Sequence, residues 1–389
     1  MYHGQTILAQ IFEFVSHYEF QCCVKRYDGN RRVRRLSCWE QFLAMAFAQL
    51  TWRESLRDID VCLAAQGRKL YHSGFRHAIK RSTLAEANEQ RDWRIYADFA
   101  QTLIARARPL YANEDLGLEL DATIYALDAT TIDLCLALFP WAHFRRAKAA
   151  VKLHTLLDLR GSIPAFIDIT HGKVHDVNVL DQLIYEPGAY VIMDRGYLDF
   201  ERLFLLQQAA SFFVIRAKSN LQFRRRYSHH IDKSTGVRSD QTIVLTGPKT
   251  SGLYPAPLRR VSYYAAEIDK RFVFLTNNFA LAAHTVAALY QCRWQVELFF
   301  KWIKQHLRIK RFFGTSPNSV KTQVWIAVSV YVLVAILKKQ LHLPHSLYTI
   351  LQVLSLTLFE KIPISSLFQR FDAMTEPHEV SNQLSLFPY

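Results

Sequence analysis

Three acidic residues and a stripe of cations are the parts of this chain whose types and spacing suit chemistry. Tyr290, Arg293, Glu297, Lys301, Lys304 and Arg308 are separated by three, four, four, three and four residues. At roughly 100° per residue a helix gathers them within an arc of about 80°. Taken alone, such a stripe is a solvent-exposed face stitched by Glu-to-Lys pairs, since Glu297 and Lys301 have the favourable order. Asp128 lies within the strand-like run Ile124–Leu134, where a charge is costly unless it is paired or binds a metal. Strand parity puts it on the face of Ile124 and Ala126, with Asp133 on the other. Asp194 ends the apolar run Tyr190–Met193 and precedes Arg195-Gly196-Tyr197. That is the carboxyl end of a strand, where open α/β sheets place their ligands, although a structural Asp is also common there. Other candidates are weaker. His171 and His175 are explained by a turn entering the next helix, His229-His230 by an exposed loop, and no Ser-His-Asp or Cys-His motif is present.

The elements that must position these residues can be read from periodicity. The first 110 or so residues are helical. Ser37-Cys38-Trp39-Glu40 and Thr51-Trp52-Arg53-Glu54 both have capping-box spacing, predicting two helices with almost no loop between them and hence a helix-turn-helix. Arg31, Arg32, Arg34 and Arg35 lie just upstream, placed either to meet phosphates or to form a solvated linker before an ordinary helical bundle. Thr83-Leu84-Ala85-Glu86 opens a further helical stretch towards Arg108. From about Thr123 the pattern changes to strands at 123–136, 151–159 and 163–169, with Arg160-Gly161-Ser162 as a turn. A helix at 175–184, a strand at 190–193, a helix at 200–210 and a strand at 212–215 follow. Three antiparallel strands followed by α/β units describe a ribonuclease H-like core. The basic stretch Lys218–Arg226 and the strand-like runs 241–246, 260–266 and 271–276 form a β-rich insertion, about 217–282. One long helix, about His284 to Leu307, then carries the charged stripe. Following such a strand pattern, the stripe is better placed for a site than for a solvated surface. The fold class is thus α/β: a helical region over 1–115, a ribonuclease H-like core over 116–340, and C-terminal helices with a loose tail over 341–389.

Composition narrows the partner. Half of the 389 residues are hydrophobic, enough for an extensive core, and 48 Lys and Arg against 34 Asp and Glu leave a formal charge of +14. That surplus favours a polyanion, nucleic acid before an anionic membrane. Six cysteines without a Cys-x-x-Cys pair or a secretory leader suggest reduced thiols in a cytoplasm rather than a disulfide framework or zinc ribbon. Val324–Leu337 is apolar over 14 residues, shorter than the roughly 20 needed to span a bilayer, and reads as a core helix.

Here a family resemblance enters. Tyr290-x2-Arg293-x3-Glu297-x6-Lys304 resembles the Tyr-Arg-Glu-Lys signature of bacterial insertion-sequence DDE transposases of family four. Leu127-Asp128-Ala129-Thr130-Thr131, Lys152-Leu153-His154 and Asp194-Arg195-Gly196-Tyr197 are similar to that family's acidic regions, and the likeness covers about 30–340. It implies metal-dependent DNA cleavage and strand transfer, with Asp128, Asp194 and Glu297 holding two Mg²⁺ or Mn²⁺ ions. Hard cations take oxygen ligands, and two ions about 4 Å apart can activate the nucleophile and stabilise the leaving alkoxide. The resemblance also implies double-stranded DNA as partner, both terminal inverted repeats and target, and a homodimer in the DNA complex. Tyr290, Arg293, Lys301, Lys304, Arg308 and Arg195 would contact that DNA. Trp294 or Trp302 would hold a flipped base, although packing in a core is the simpler role for both. The rival readings are a related nuclease without strand transfer and a transposase-derived DNA-binding protein without catalysis. Near the C-terminus, Gln383-Leu384-Ser385-Leu386-Phe387 resembles the short peptide by which bacterial proteins dock on the replication sliding clamp, with packing onto the chain's own core as the alternative.

Overall fold

The computed structural model describes residues 4–118, 120–145, 148–306 and 312–375. Arg308 and the clamp-like segment Gln383–Phe387 therefore lie outside the described residues. Seven helices open the described chain: α1 (Ile7–Glu13), α2 (His17–Arg26), α3 (Cys38–Leu50), α4 (Leu56–Ala64), α5 (Lys69–His72), α6 (Arg81–Gln90) and α7 (Arg94–Tyr111). Strands follow as β1 (Ile124–Leu134), β2 (His143–Arg145), β3 (Lys148–Asp158), β4 (Ile163–His171) and β5 (Tyr190–Met193). Helix α8 (Phe200–Gln208) leads to β6 (Phe212–Arg216), β7 (Phe223–Ser228) and β8 (Val237–Leu245). Next come α9 (Thr250–Leu253), β9 (Leu258–Ala265), β10 (Lys270–Thr276), α10 (Ala283–Cys292) and α11 (Trp294–His306). Three helices close the described chain: α12 (Pro317–Gln340), α13 (Leu347–Thr357) and α14 (Ile364–Thr375).

Two compact units result. The first unites Met1–Leu103 with Arg311–Gly314 and Asn318–Tyr389; the second holds Ile104–Lys310 and Thr315–Pro317. Sequence spacing assigns 317–340 to the central domain and sets 341–389 apart, whereas packing groups the described residues from Asn318 onward with the N-terminal helices. The reason is the character of α12. Its residues from Val324 to Leu337 are all buried, so it has no polar face to present to water and needs helices around it. At 24 residues it is long and apolar enough to cross a membrane, and 94% of its apolar window is buried inside the protein. The shortness argued from sequence was therefore wrong, and burial is what supports a core role.

The N-terminal helices also depart from expectation. Ser37 does form a capping box with Glu40, its hydroxyl accepting from the Glu40 N–H at 3.1 Å while Glu40 returns to the Ser37 N–H at 3.0 Å. Thr51 does not cap. Its hydroxyl donates to Phe47 O at 2.7 Å and ends α3, Trp52 turns at φ 56°, and Ser55 caps α4 by accepting from Asp58 N. Thr83 likewise lies inside α6, whose first N–H, at Arg81, is met by the Asp60 carboxylate at 2.9 Å. A break at 91–93 separates α6 from α7, and there Asn318 accepts from Trp93 N and donates to the Asn88 and Arg91 carbonyls. Every residue of α3 except Trp39 is buried. It is a core helix, whereas α4 buries only Leu56, Ile59 and Leu63.

The second unit is built on one ten-stranded sheet. Its order is β2-β3-β1-β5-β6-β10-β9-β8-β7, with β4 also on β3. β1 pairs antiparallel with β3 and parallel with β5, and β5 pairs parallel with β6. The predicted strands at 123–136, 151–159 and 163–169 are present, and Gly161 makes the tight turn between the last two at φ 77°. A side chain there would stand 2.1 Å from the Tyr111 ring. The 175–184 segment is wound as a 3-10 helix over Asp176–Gln182, where Val and Asn are weak α-helix formers. The insertion proves to be four strands, one of them β7 in the basic stretch. It is no separate body: β10 pairs antiparallel with β6 and prolongs the sheet.

Candidate active site

Asp128 and Asp194 are brought side by side by strand register. In the parallel pair, Leu127 faces Met193, so each Asp is the next residue along neighbouring strands. Parallel strands lie about 4.8 Å apart, which sets the two carboxyl groups over one edge of the sheet. Asp194 terminates β5 because the chain turns at once into a 3-10 helix at Arg195–Tyr197. Asp128 stays in β1, whose burial falls from complete at Leu127 to partial at Asp128. Its Oδ1 accepts from the Ala129 N–H at 2.8 Å.

The charged stripe covers this edge. It is not one helix, however: α10 ends at Cys292 and α11 begins at Trp294, with Arg293 between them. Arg293 keeps helical angles, but the bonds Arg293 N to Tyr290 O and Val296 N to Arg293 O span three residues and tighten the junction. From it the guanidinium reaches two carboxylates, Asp128 Oδ2 at 2.8 Å and Glu297 Oε1 at 2.7 Å. Tyr290 donates its hydroxyl to Asp194 Oδ1 at 3.0 Å. Lys304, three turns along, donates to Thr131 O at 2.8 Å and ties α11 to β1. Arg293 thus joins Asp128 and Glu297, Tyr290 holds Asp194 on the neighbouring strand, and Lys304 is tied to the same strand as Asp128. Trp294, Lys301 and Arg195 are exposed and stand outside that hydrogen-bonded group. Trp302 is half-buried on the same helix.

Burial dominates the electrostatics of Asp128. It pushes the carboxyl up to about 6, against the Ala129 N–H and Arg293, and the charges of Glu297 and Asp194 push the same way. Burial also raises the Tyr290 phenol, to about 12, with Asp194 adding to it, so this hydroxyl is a donor at neutral pH. Burial opposes the charge of Arg293, yet Glu297, Tyr290 and Asp128 together hold its pKa above the ordinary arginine value.

Several contacts around the site escaped sequence reasoning. The Phe274 ring packs against that of Tyr290, with centroids 4.7 Å apart. Only the β10–β6 pairing brings it there, and no local pattern announces it. Asp176 accepts from Lys152 at 2.9 Å, and His154, buried beside them, bonds Thr170 at 2.8 Å. Tyr197 is buried among the same carboxylates, which with burial raise its phenol further. Its place two residues beyond the Asp194-Arg195 pair was a signal available in the sequence.

The donor set is of the kind that hard divalent cations take, oxygen only. Among the described residues, no three carboxylates or imidazoles already stand as a ready-made cluster. Instead, the Arg293 guanidinium sits between Asp128 and Glu297. The residues fit a cation in chemistry, and the position between these two carboxylates now carries a protein-borne positive charge.

Two carboxylates on neighbouring strands and a third on α11, with Tyr290, Arg293 and Lys304 on the same helical stripe, make an oxygen-rich, charged site over the sheet. Comparison with known proteins places the chain. A family model described as a transposase DDE domain matches residues 119–333, and the chain belongs to that family. A second model, a domain of unknown function, matches residues 3–76. Transposase y4zB of Sinorhizobium fredii is 35% identical over 257 residues, 65% of this chain and 70% of that protein. The transposase named for insertion sequence element IS5377 of Geobacillus stearothermophilus is 34% identical over 209 residues, 53% of this chain and 54% of its own length. The one named for element IS4SA of Synechocystis is 22% identical over 259 residues, 66% of this chain and 71% of its length.

Proposed function

We propose that this chain is the transposase of an insertion sequence, cutting DNA at the element's ends and joining the freed ends to a target. The observation that supports it most is that Arg293 joins Asp128 to Glu297 while Asp194 stands one strand away, held by Tyr290, on strands in the order β4-β3-β1-β5-β6 that a ribonuclease H-like core takes. Asp128, Asp194 and Glu297 would hold Mg²⁺ or Mn²⁺. When bound, the ions supply charge to both the entering and the departing oxygen of the phosphodiester. Arg293, released from Asp128 and Glu297, is placed to bond a phosphate in the bidentate manner its planar fork allows. Tyr290 positions the Asp194 carboxylate through its hydroxyl. Lys304 anchors α11, and so the height of Glu297 over β1, through the Thr131 carbonyl. Lys301 and Trp294, exposed on the same helix, are free to meet DNA beyond the scissile bond.

The test is product analysis with the full chain, Mg²⁺, a labelled duplex carrying the element's terminal sequence, and a supercoiled target plasmid. The expected result is cleavage at the element boundary with a free 3′-hydroxyl, followed by label joined covalently to the plasmid. Cleavage without joining would reduce the protein to a nuclease, and neither product would overturn the reading.

A further inference from the structure

Between α2 and α3 the chain carries four exposed arginines, Arg31, Arg32, Arg34 and Arg35. Among the described residues none of the four has a carboxylate partner. Unpaired arginines at this density repel one another, so the loop must be held from beneath. Gly29 N donates to Val24 O at 2.9 Å, and the Asn30 side chain accepts from Cys38 N at 2.8 Å. A side chain at position 29 would meet Ile95 Cδ1 at 2.4 Å and Cys38 Sγ at 2.9 Å, so the backbone is pressed onto the helical core. Asp28 and Arg32 turn sharply at φ 50° and 59°. Arg91 donates to Leu36 O at the far end and to Gln41 at 2.8 Å.

A cleft lies on each side. One, of about 900 Å³, opens towards α6 and is lined by Arg31, Arg32 and Arg91. The other, of about 450 Å³, opens towards α2 and takes in Arg76, His77 and His17. Val33, Arg34 and Arg35 line both, so they form the wall that divides them. The carboxylates nearby are largely engaged: Asp92 by Arg94, and Glu40 by the Ser37 and Arg76 N–H groups. Glu86 and Asp28 remain at the margin of the larger cleft.

We infer that this wall enters the minor groove of duplex DNA, with one phosphate backbone lying in each flanking cleft. It assigns a role to the segment matched by the model of unknown function. A minor groove is about 6 Å wide, bounded by two backbones, and its negative potential draws arginine where it narrows over A·T tracts. A wall of Val33, Arg34 and Arg35 with a basic cleft on either side is complementary to that shape. A single flat basic patch, which suits one backbone only, is not. Helix α4, the recognition helix that a helix-turn-helix reading requires, bears Asp58 and Asp60 against Arg57 alone and lacks the charge for this role. The inference rests on the proposed function only in taking DNA as the partner.

The experiment uses the full chain and two labelled duplexes of about 30 base pairs, one with a central A·T tract and one G·C throughout. Arg34→Ala/Arg35→Ala is expected to bind the A·T duplex at least about tenfold more weakly. The logarithmic salt slope should fall by about 0.9 for each backbone phosphate that the variant leaves unneutralised. Netropsin, which fills the minor groove, should compete with wild type and have much less effect on the double variant. Arg57→Ala on α4 should bind as wild type does, and circular dichroism should show both variants folded. If the double variant is unfolded, Arg34→Lys/Arg35→Lys keeps the charge, and its expected result is retained salt dependence with lost A·T preference. Unchanged affinity and slope in a folded Arg34→Ala/Arg35→Ala, indifference of wild type to netropsin, or no duplex binding by wild type would each overturn the inference. A chain that binds through these arginines yet cuts nothing would overturn the proposed function and leave this inference standing.

Discussion

Arg293 is the residue on which the site turns. By bonding Asp128 and Glu297 together it lets two carboxylates share a small volume. Its removal should therefore act twice. Without metal, Arg293→Ala is expected to destabilise the chain by about 1–3 kcal/mol, since two charge-assisted bonds disappear and partly buried carboxylates remain. With metal, the same variant should bind Mn²⁺ several-fold more tightly in the absence of DNA, because a competing cation is gone. Calorimetric titration measures this, and weaker binding would mean that Arg293 organises the ligands rather than competing for them. Asp128 gives a second expectation at this scale. Its folded pKa of about 6 lies above the ordinary 3.8, so its ionised form costs stability above about pH 6, a cost relieved as pH falls towards 4. Metal-free Asp128→Asn should then melt at or above the wild-type temperature at about pH 7.5, with the difference shrinking below pH 6. A variant less stable at every pH would show that the ion pair with Arg293 outweighs burial.

At the scale of the element, the site depends on the register of β1 against β5 and on the seat of α11. Lys304 holds that seat through the Thr131 carbonyl. Lys304→Met keeps the aliphatic stem and removes the bond, and is expected to lower cleavage about tenfold while costing about 1 kcal/mol of stability. Measured cleavage equal to wild type would detach Lys304 from the geometry of Glu297. In the helical unit, Ser37→Ala should cost about 1 kcal/mol by opening the capping box, readable as a lowered Tm. What was legible in the sequence followed from local physics. Ser37 and Glu40 announce a helix start, Tyr190–Met193 announces a buried strand, and spacing gathers Tyr290, Arg293, Glu297 and Lys304 on one face. What was not legible depended on distant partners. Thr51-x-x-Glu54 has the right spacing for a cap, but Ser55 and Asp58 compete for it and win. The stripe reads as one helix because a three-residue bond at Arg293 leaves no mark in the pattern. That β10 would join β6 and set Phe274 against Tyr290 is a matter of long-range pairing, which periodicity does not encode.

Over the whole molecule, a formal charge of +14 gives a general attraction to polyanions that is screened by salt. Specific function has to be separable from that background. If the charge only concentrates DNA, raising salt should weaken binding of every variant alike while the ratio of cleaved to bound DNA stays fixed. The apolar α12 adds nothing to this surface, since it is enclosed by its own unit. The central claim concerns three carboxylates, and one measurement addresses it most directly: cleavage of the labelled element end in Mg²⁺, beside affinity for the same duplex, for Asp128→Asn, Asp194→Asn and Glu297→Gln. Cleavage should fall by at least about a thousandfold in each variant, with affinity within a few-fold of wild type, because the proposed metal ligands are removed while the groups proposed to hold phosphate are kept. A variant that still cuts at a near-normal rate would contradict the account.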